Sequence, residues 1–250
     1  MYKSLVLLFF CSIFFNPLYA FEREIAITLD DFPFIYGDSS KINEVHHKIM
    51  TSLLKHQAPA ICFVIAERLN QEQINAMKMF RNHGFAIGSH TYSHPNLRRT
   101  PVDVYIQDID RADRILVNSL TKPKYFRYPY LAKGKWWWTR NKVYHYLEQH
   151  DYIIAPVTID SRDFDFNVRL NQVDLNHQEA LDQLAQAYLD FVWEQTLRAE
   201  KKSRGKPVKQ ILLLHMNVLN SLFLDRLLTM FERHGYHFIR LDDVLYPREV

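Results

Sequence analysis

Two adjacent carboxylates, Asp30 and Asp31, close an apolar run that begins at Ile25 and reads as a buried strand. Delivery by a strand sets this pair apart from Asp242-Asp243, which reads as a helix cap or a turn. His90 and His94 follow a second apolar run, and imidazoles four residues apart can face one way and bind a single cation. Such a spacing means little alone in a chain with twelve histidines. The others, among them His46, His56, His83, His150 and His234, fall in helical or surface contexts and read as structural or solvated. Arg127 ends a further run, Asp160-Ser161-Arg162-Asp163-Phe164 another, and His215 follows Leu213-Leu214. Five strand ends thus carry Asp, His, Arg, Asp and His, which together offer a cation site and acid–base groups. In parallel α/β folds that strand edge is where active sites assemble.

The elements that must position these residues show in the alternation of short apolar runs with longer helical patterns. Strands are expected over 24–30, 59–65, 85–89, 124–127, 152–159, 209–214 and 236–241, and helices over 41–56, 71–83, 101–120, 135–150, 176–199 and 220–234. The runs are continuously apolar instead of alternating, as for strands covered on both faces. Thr100-Pro101 reads as an N-cap with proline at the first helical position, and Gly84 and Gly235 as C′ glycines after basic last turns. Strand-then-helix order implies one α/β domain with about seven parallel strands, a barrel or a doubly wound sheet.

Lys3, the apolar stretch 5–15 and Leu18-Tyr19-Ala20 read as an export signal cleaved after Ala20. The stretch is shorter than the about 20 residues that span a bilayer, so no membrane span is expected after cleavage. The organisation is then a signal peptide at 1–20 and one domain at 21–250, periplasmic or secreted. Losing Lys3 takes the formal charge from +3 to +2, which lends no support to nucleic acid or acidic membranes as partners. The basic run from Lys201 to Lys206 reads as a solvated loop. Cys11 leaves with the signal, and Cys62, in an apolar run, reads as a buried structural thiol with no disulfide partner. Nothing in the pattern specifies an oligomeric state.

Taken in order, Thr28-Leu29-Asp30-Asp31, His90-Thr91-Tyr92-Ser93-His94-Pro95, Arg127-Tyr128-Pro129-Tyr130, the segment from Asp160 to Phe164, and Leu213-Leu214-His215 resemble the five motifs of the polysaccharide deacetylases, the NodB homology domain or carbohydrate esterase family four. The resemblance spans nearly all of the expected mature chain. It implies a distorted, incomplete (β/α) barrel. It also implies a metal held by Asp31, His90 and His94, with Zn²⁺ best suited and Co²⁺, Ni²⁺ or Mn²⁺ able to replace it. Asp30 resembles the general base and His215 the general acid, with Asp163 as the carboxylate partner of His215 and Arg127 orienting Asp30. Tyr130 would offer a main-chain N–H to the oxyanion, and Leu213 and Phe164 would border the acetyl methyl. Phe164 stands where many members carry Trp, Asp165-Phe166 repeats the Asp163-Phe164 pair, and Leu131 stands where glycine commonly follows.

The implied activity is removal of N-acetyl groups from an N-acetylhexosamine polymer, an envelope glycan or a chitin-like chain. Alternatives on the same fold are an O-acetyl esterase, a small-molecule deformylase or amidohydrolase, and a catalytically silent carbohydrate-binding protein. Trp136-Trp137-Trp138 is expected to pack mainly into the core, since three consecutive helical residues point three ways. In the long helix 176–199, Leu181, Leu184, Tyr188, Phe191 and Val192 form the stripe expected to face the sheet.

Overall fold

The computed structural model describes residues 23–33, 41–202 and 209–246; the expected signal segment and residues 203–206 of the basic run lie outside them. Eight strands occur among the described residues: β1 (Arg23–Phe32), β2 (Ala60–Val64), β3 (Ala86–Ser89), β4 (Lys124–Phe126), β5 (Tyr152–Ile154), β6 (Ile159–Asp160), β7 (Gln210–His215) and β8 (Tyr236–Phe238). The helices are α1 (Ile42–Lys55), α2 (Gln71–Asn82), α3 (Val102–Leu116), α4 (Trp137–Gln149), α5 (Asp163–Leu170), α6 (Gln178–Lys202), α7 (Val218–Arg233) and α8 (Leu241–Leu245). Seven strands in the order β5-β4-β3-β2-β1-β7-β6 form a curled, parallel half-barrel, and β8 adds to the N-terminal end of β1. This is the expected incomplete barrel.

Side chains alternate across each strand, and the two faces have different jobs. Ile25, Ile27 and Leu29 of β1, Cys62 and Val64 of β2, and Leu212 and Leu214 of β7 join the large core beneath the helices. Ala26, Ile61, Phe63, Tyr125 and Ile211 form a small apolar floor inside the half-barrel. One step further along the same inward rows come Thr28, Gly88, Arg127 and Leu213, and then Asp30, His90 and His215 at the rim. The unbroken apolar look of the strands therefore hides an inner row that turns polar toward the C-terminal edge. Gly88 is needed on that row: a Cβ there would lie 2.6 Å from the Phe63 ring and 3.0 Å from the Tyr125 carbonyl. Any side chain at this position would push Phe63 away from Arg127, whose guanidinium carbon lies 4.8 Å from the Phe63 ring centroid.

Several expectations are corrected. The strand expected over 152–159 is two strands on opposite edges: β5 pairs with β4 and β6 with β7. Pro156 lies between them, without an N–H for a ladder, and the half-barrel is open at this crossing. Pro101, not Thr100, is the N-cap of α3, and it makes no side-chain cap bond. Asp242 and Asp243 lie in the first turn of α8. Trp136, Trp137 and Trp138 are exposed at 51%, 65% and 52%, outside the core that was expected to absorb them, because α4 buries only Val143 and Leu147. Other readings agree with the structure. Gly84 and Gly235 take positive φ at the ends of α2 and α7, and Tyr188 and Val192 of α6 are fully buried. Cys62 is buried and free, and burial pushes its thiol up, away from thiolate chemistry. His46 is a core residue stacked on Phe32, with a ring nitrogen 2.6 Å from the Pro33 carbonyl.

Candidate active site

Parallel register sets the first contact. Asp30 of β1 pairs with His215 of β7, so carboxylate and imidazole arrive side by side. Consecutive strand residues point to opposite faces, and Asp31 would normally face the helices. A left-handed backbone at Asp31 (φ 65°) and a register irregularity between Leu29 and Phe32 turn it back toward the rim. The His90-to-His94 segment is a loop, not a helix. Left-handed Thr91 (φ 68°) and His94 (φ 59°) fold it so that both imidazoles reach one point. Such conformations are costly for residues with a Cβ and persist where neighbours hold them. Here Asp108 of α3 takes hydrogen bonds from the Tyr92 N–H (2.8 Å), the Ser93 N–H (3.0 Å) and the Ser93 hydroxyl (2.6 Å).

His90 Nδ1 lies 2.9 Å from the Arg127 carbonyl, which can only accept, so Nδ1 carries the proton and Nε2 presents its lone pair. That Nε2 is 3.4 Å from Asp31 Oδ1, and His94 Nε2 is 3.2 Å from the same oxygen. Asp31 Oδ1 is buried without a hydrogen bond. Lone pairs converging on a carboxylate oxygen repel unless a cation lies among them. Tetrahedral ligands with bonds of about 2.0–2.1 Å stand roughly 3.4 Å apart, so this Asp-His-His set fits a zinc-like ion; the three ligand atoms lie within 4.8 Å of one another.

Behind these ligands, Arg127 is fully buried. Its Nη1 lies 3.6 Å from Asp30 Oδ2, and Nη2 donates to Thr28 Oγ1 (3.2 Å) and the Pro156 carbonyl (3.3 Å). One residue thus serves two groups: its side chain faces Asp30, and its carbonyl orients His90. Asp30 lines the cavity, and its Oδ1 is buried without a hydrogen bond.

The other wall is built on Asp163, the buried first residue of α5. Its carboxylate accepts from His215 Nδ1 (2.5 Å), the His215 main-chain N–H (2.7 Å), Asn217 Nδ2 (3.1 Å) and Asn220 Nδ2. Burial lowers the His215 pKa, yet the charge and hydrogen bond of Asp163, with Asp31 and Asp30 behind them, raise it to about 10. The ring is an imidazolium at neutral pH, with Nε2 turned to the site 3.9 Å from Asp31 Oδ2. The repeated Asp-Phe pairs resolve here: Asp165 ion-pairs with Arg162 and Phe166 packs on Tyr188, leaving Asp163 with His215 and Phe164 at the cavity.

The cavity holds about 350 Å³ and brings together Asp30, Asp31, His90, His94 and His215. Tyr130, Leu131, Asp160, Phe164 and Leu213 complete its lining. Tyr130 sits in left-handed conformation (φ 56°) with its ring 4.5 Å from that of His94, and Phe164 meets His215 edge-on at 6.0 Å. Every residue singled out in the sequence is at this cavity or, for Arg127 and Asp163, directly behind it. Residues not singled out are Asp108, Asn220 and Asn217. Asn217 carried a signal, a cap-forming residue before an apolar run, and its side chain accepts from the Asn220 N–H as the N-cap of α7.

Residues 20–152 match the family model described as polysaccharide deacetylase. A peptidoglycan-N-acetylglucosamine deacetylase of Bacillus cereus is 38% identical over 112 residues, which is 44% of this chain and 37% of the relative. The chain thus matches little more than a third of that curated relative's length. Among solved structures, the Bc1960 peptidoglycan N-acetylglucosamine deacetylase superposes with a TM-score of 0.64 at 24% identity, covering 90% of this chain and 89% of the other. A CE4 family pseudoenzyme from Bacillus anthracis gives 0.65 at 18% identity, covering 92% and 67%. At these identities the likeness is one of fold.

Proposed function

This chain belongs to the polysaccharide deacetylase family, and we propose that it hydrolyses N-acetyl groups on an N-acetylglucosamine-containing glycan with a divalent metal at Asp31, His90 and His94. The fold is shared with a CE4 family pseudoenzyme, so the proposal rests on the site residues. The observation that carries it is a single cavity lined on one side by an Asp-His-His set and on the other by an imidazolium locked onto Asp163.

A metal in this site supplies Lewis acidity to the acetamide carbonyl and lowers the pKa of a water; nitrogen and oxygen ligands suit zinc. Asp30, held by Arg127 at the cavity, accepts the proton of the attacking water. His215 keeps a proton at Nε2 for the leaving nitrogen, and Asp163 accepts at Nδ1 and fixes the ring. The Tyr130 N–H is assigned to the developing oxyanion. Leu213 and Phe164 border the acetyl methyl, and Phe164, smaller than the Trp common at this position, leaves that edge wider. The apolar leader before Phe21 supports an exported enzyme acting on envelope glycan, and no helix among the described residues is long and apolar enough to cross a membrane.

Acetate release from an N-acetylglucosamine hexamer tests the reading. Activity should vanish with a chelator and return with Zn²⁺ or Co²⁺. Full activity in a metal-free preparation would overturn it, and preference for O-acetylated xylan would redirect it to ester hydrolysis.

A further inference from the structure

The aromatic triplet left outside the core has a place beside the cavity. Tyr130 and Leu131 line the cavity wall, and five residues further on Trp136 opens the exposed group. Five residues of chain reach at most about 18 Å, so the group begins within the span of a short oligosaccharide. An indole covers roughly 150–250 Å², and half exposure of three leaves about 300 Å², comparable to the largest apolar patch of a typical monomer, which is often functional. Folding has no evident use for it: Trp136 is the N-cap of α4 and makes no side-chain cap bond. The rings are nonetheless ordered among themselves. Trp136 and Trp138 lie parallel, 4° apart with centroids at 5.1 Å, and Trp137 meets Trp138 edge-on at 6.0 Å. The Lys135 ammonium stands 5.1 Å from the Trp136 ring. Fixed aromatic faces suit the C–H faces of sugar rings. The cavity, about 350 Å³, is at the small end for ligand pockets and takes only the reacting part of a polymer. The remaining sugars must cross the surface outside it.

We propose that Trp136, Trp137 and Trp138 form a glycan subsite that stacks the sugars beyond the one in the cavity. The substrate class rests on the deacetylase reading; the surface itself does not. The run of chain from the cavity wall into the patch favours a glycan over a membrane surface, which has no need of the cavity.

Kinetics on an N-acetylglucosamine dimer and hexamer, with intact metal-loaded protein, the triple Trp→Ala variant and Trp137→Ala, decide the matter. The triple variant should raise KM for the hexamer about tenfold, the loss of one or two aromatic contacts. Its kcat, its dimer kinetics and its hydrolysis of an aryl acetate should hold. Trp137→Ala, the most exposed position, should show a smaller change of the same kind if the triple variant folds poorly. Unchanged hexamer KM, or equal losses on dimer and hexamer, would overturn the subsite. Unchanged hexamer KM with lost sedimentation on phosphatidylglycerol–phosphatidylethanolamine vesicles would assign the patch to a membrane instead. If the intact protein deacetylates neither oligomer, the deacetylase reading fails on its own. Calorimetric hexamer affinity then still reads the patch, equal affinities overturning it and a weaker triple variant sustaining it.

Discussion

The two walls of the cavity are built on opposite terms. On the wall of Asp163 the buried carboxylate is matched: it takes hydrogen bonds from His215, Asn217 and Asn220, and Asn220 Nδ2 also reaches the His215 carbonyl (2.8 Å). On the wall of Asp31, buried atoms go without hydrogen bonds: Asp30 Oδ1, Asp31 Oδ1, and Arg127 Nε and Nη1. Unmatched buried polar atoms are costly, and on this wall they lie beside the left-handed backbone of Asp31. The first wall is complete as a protein structure. On the function proposed above, a cation and substrate would match the atoms of the second.

Substitutions should break this contrast to different degrees. The largest effect falls on the cation wall: His94→Ala removes one of three ligands and should take acetate release to background, while circular dichroism stays native. Asp30→Asn should cost about 10²–10⁴-fold in kcat as loss of a general base, with metal retained through Asp31. If that variant lost its metal instead, the roles of Asp30 and Asp31 would be exchanged. His215→Ala should cost about 10²–10⁴-fold on the amide and much less on an aryl acetate, whose leaving group needs little protonation. Equal losses on both would point to charge stabilisation in place of leaving-group protonation.

The acid wall also has a signature in stability. The His215 pKa is raised from 6.5 to about 10 in the folded chain, so its contribution is fully present below pH 6.5 and lost as pH rises through about 10. The Tm of metal-free protein should decline across that window, and Asp163→Asn should flatten the decline. A slope identical in both proteins would refute the coupling. The smallest effect is remote: Asp108→Ala frees the loop that carries His94 and should weaken metal affinity about 10–100-fold, with the metal-free Tm shifting little.

The sequence made the strand ends legible because rim residues interrupt apolar runs, and an Asp or His closing such a run has few structural uses. It did not make legible what depends on the third dimension. The stretch 152–159 is apolar but for Thr158, and only pairing reveals that Pro156 divides it between two edges of the sheet. Helix α5 was missed because Asp163-Phe164-Asp165-Phe166 alternates like a strand. Asp108 is one of four aspartates on α3, with Asp103, Asp110 and Asp113, and no local pattern marks it as the one that holds a loop. The tryptophans misled because aromatic content alone does not distinguish core from surface.

Metal content tests the contrast between the walls most directly. Protein dialysed against Zn²⁺ and then against metal-free buffer, measured by atomic emission, should hold one ion per chain. His215→Ala and Asp163→Asn should keep that ion, and His90→Ala and His94→Ala should lose it. Zinc retained without His90 and His94, or lost with His215 alone, would contradict the account.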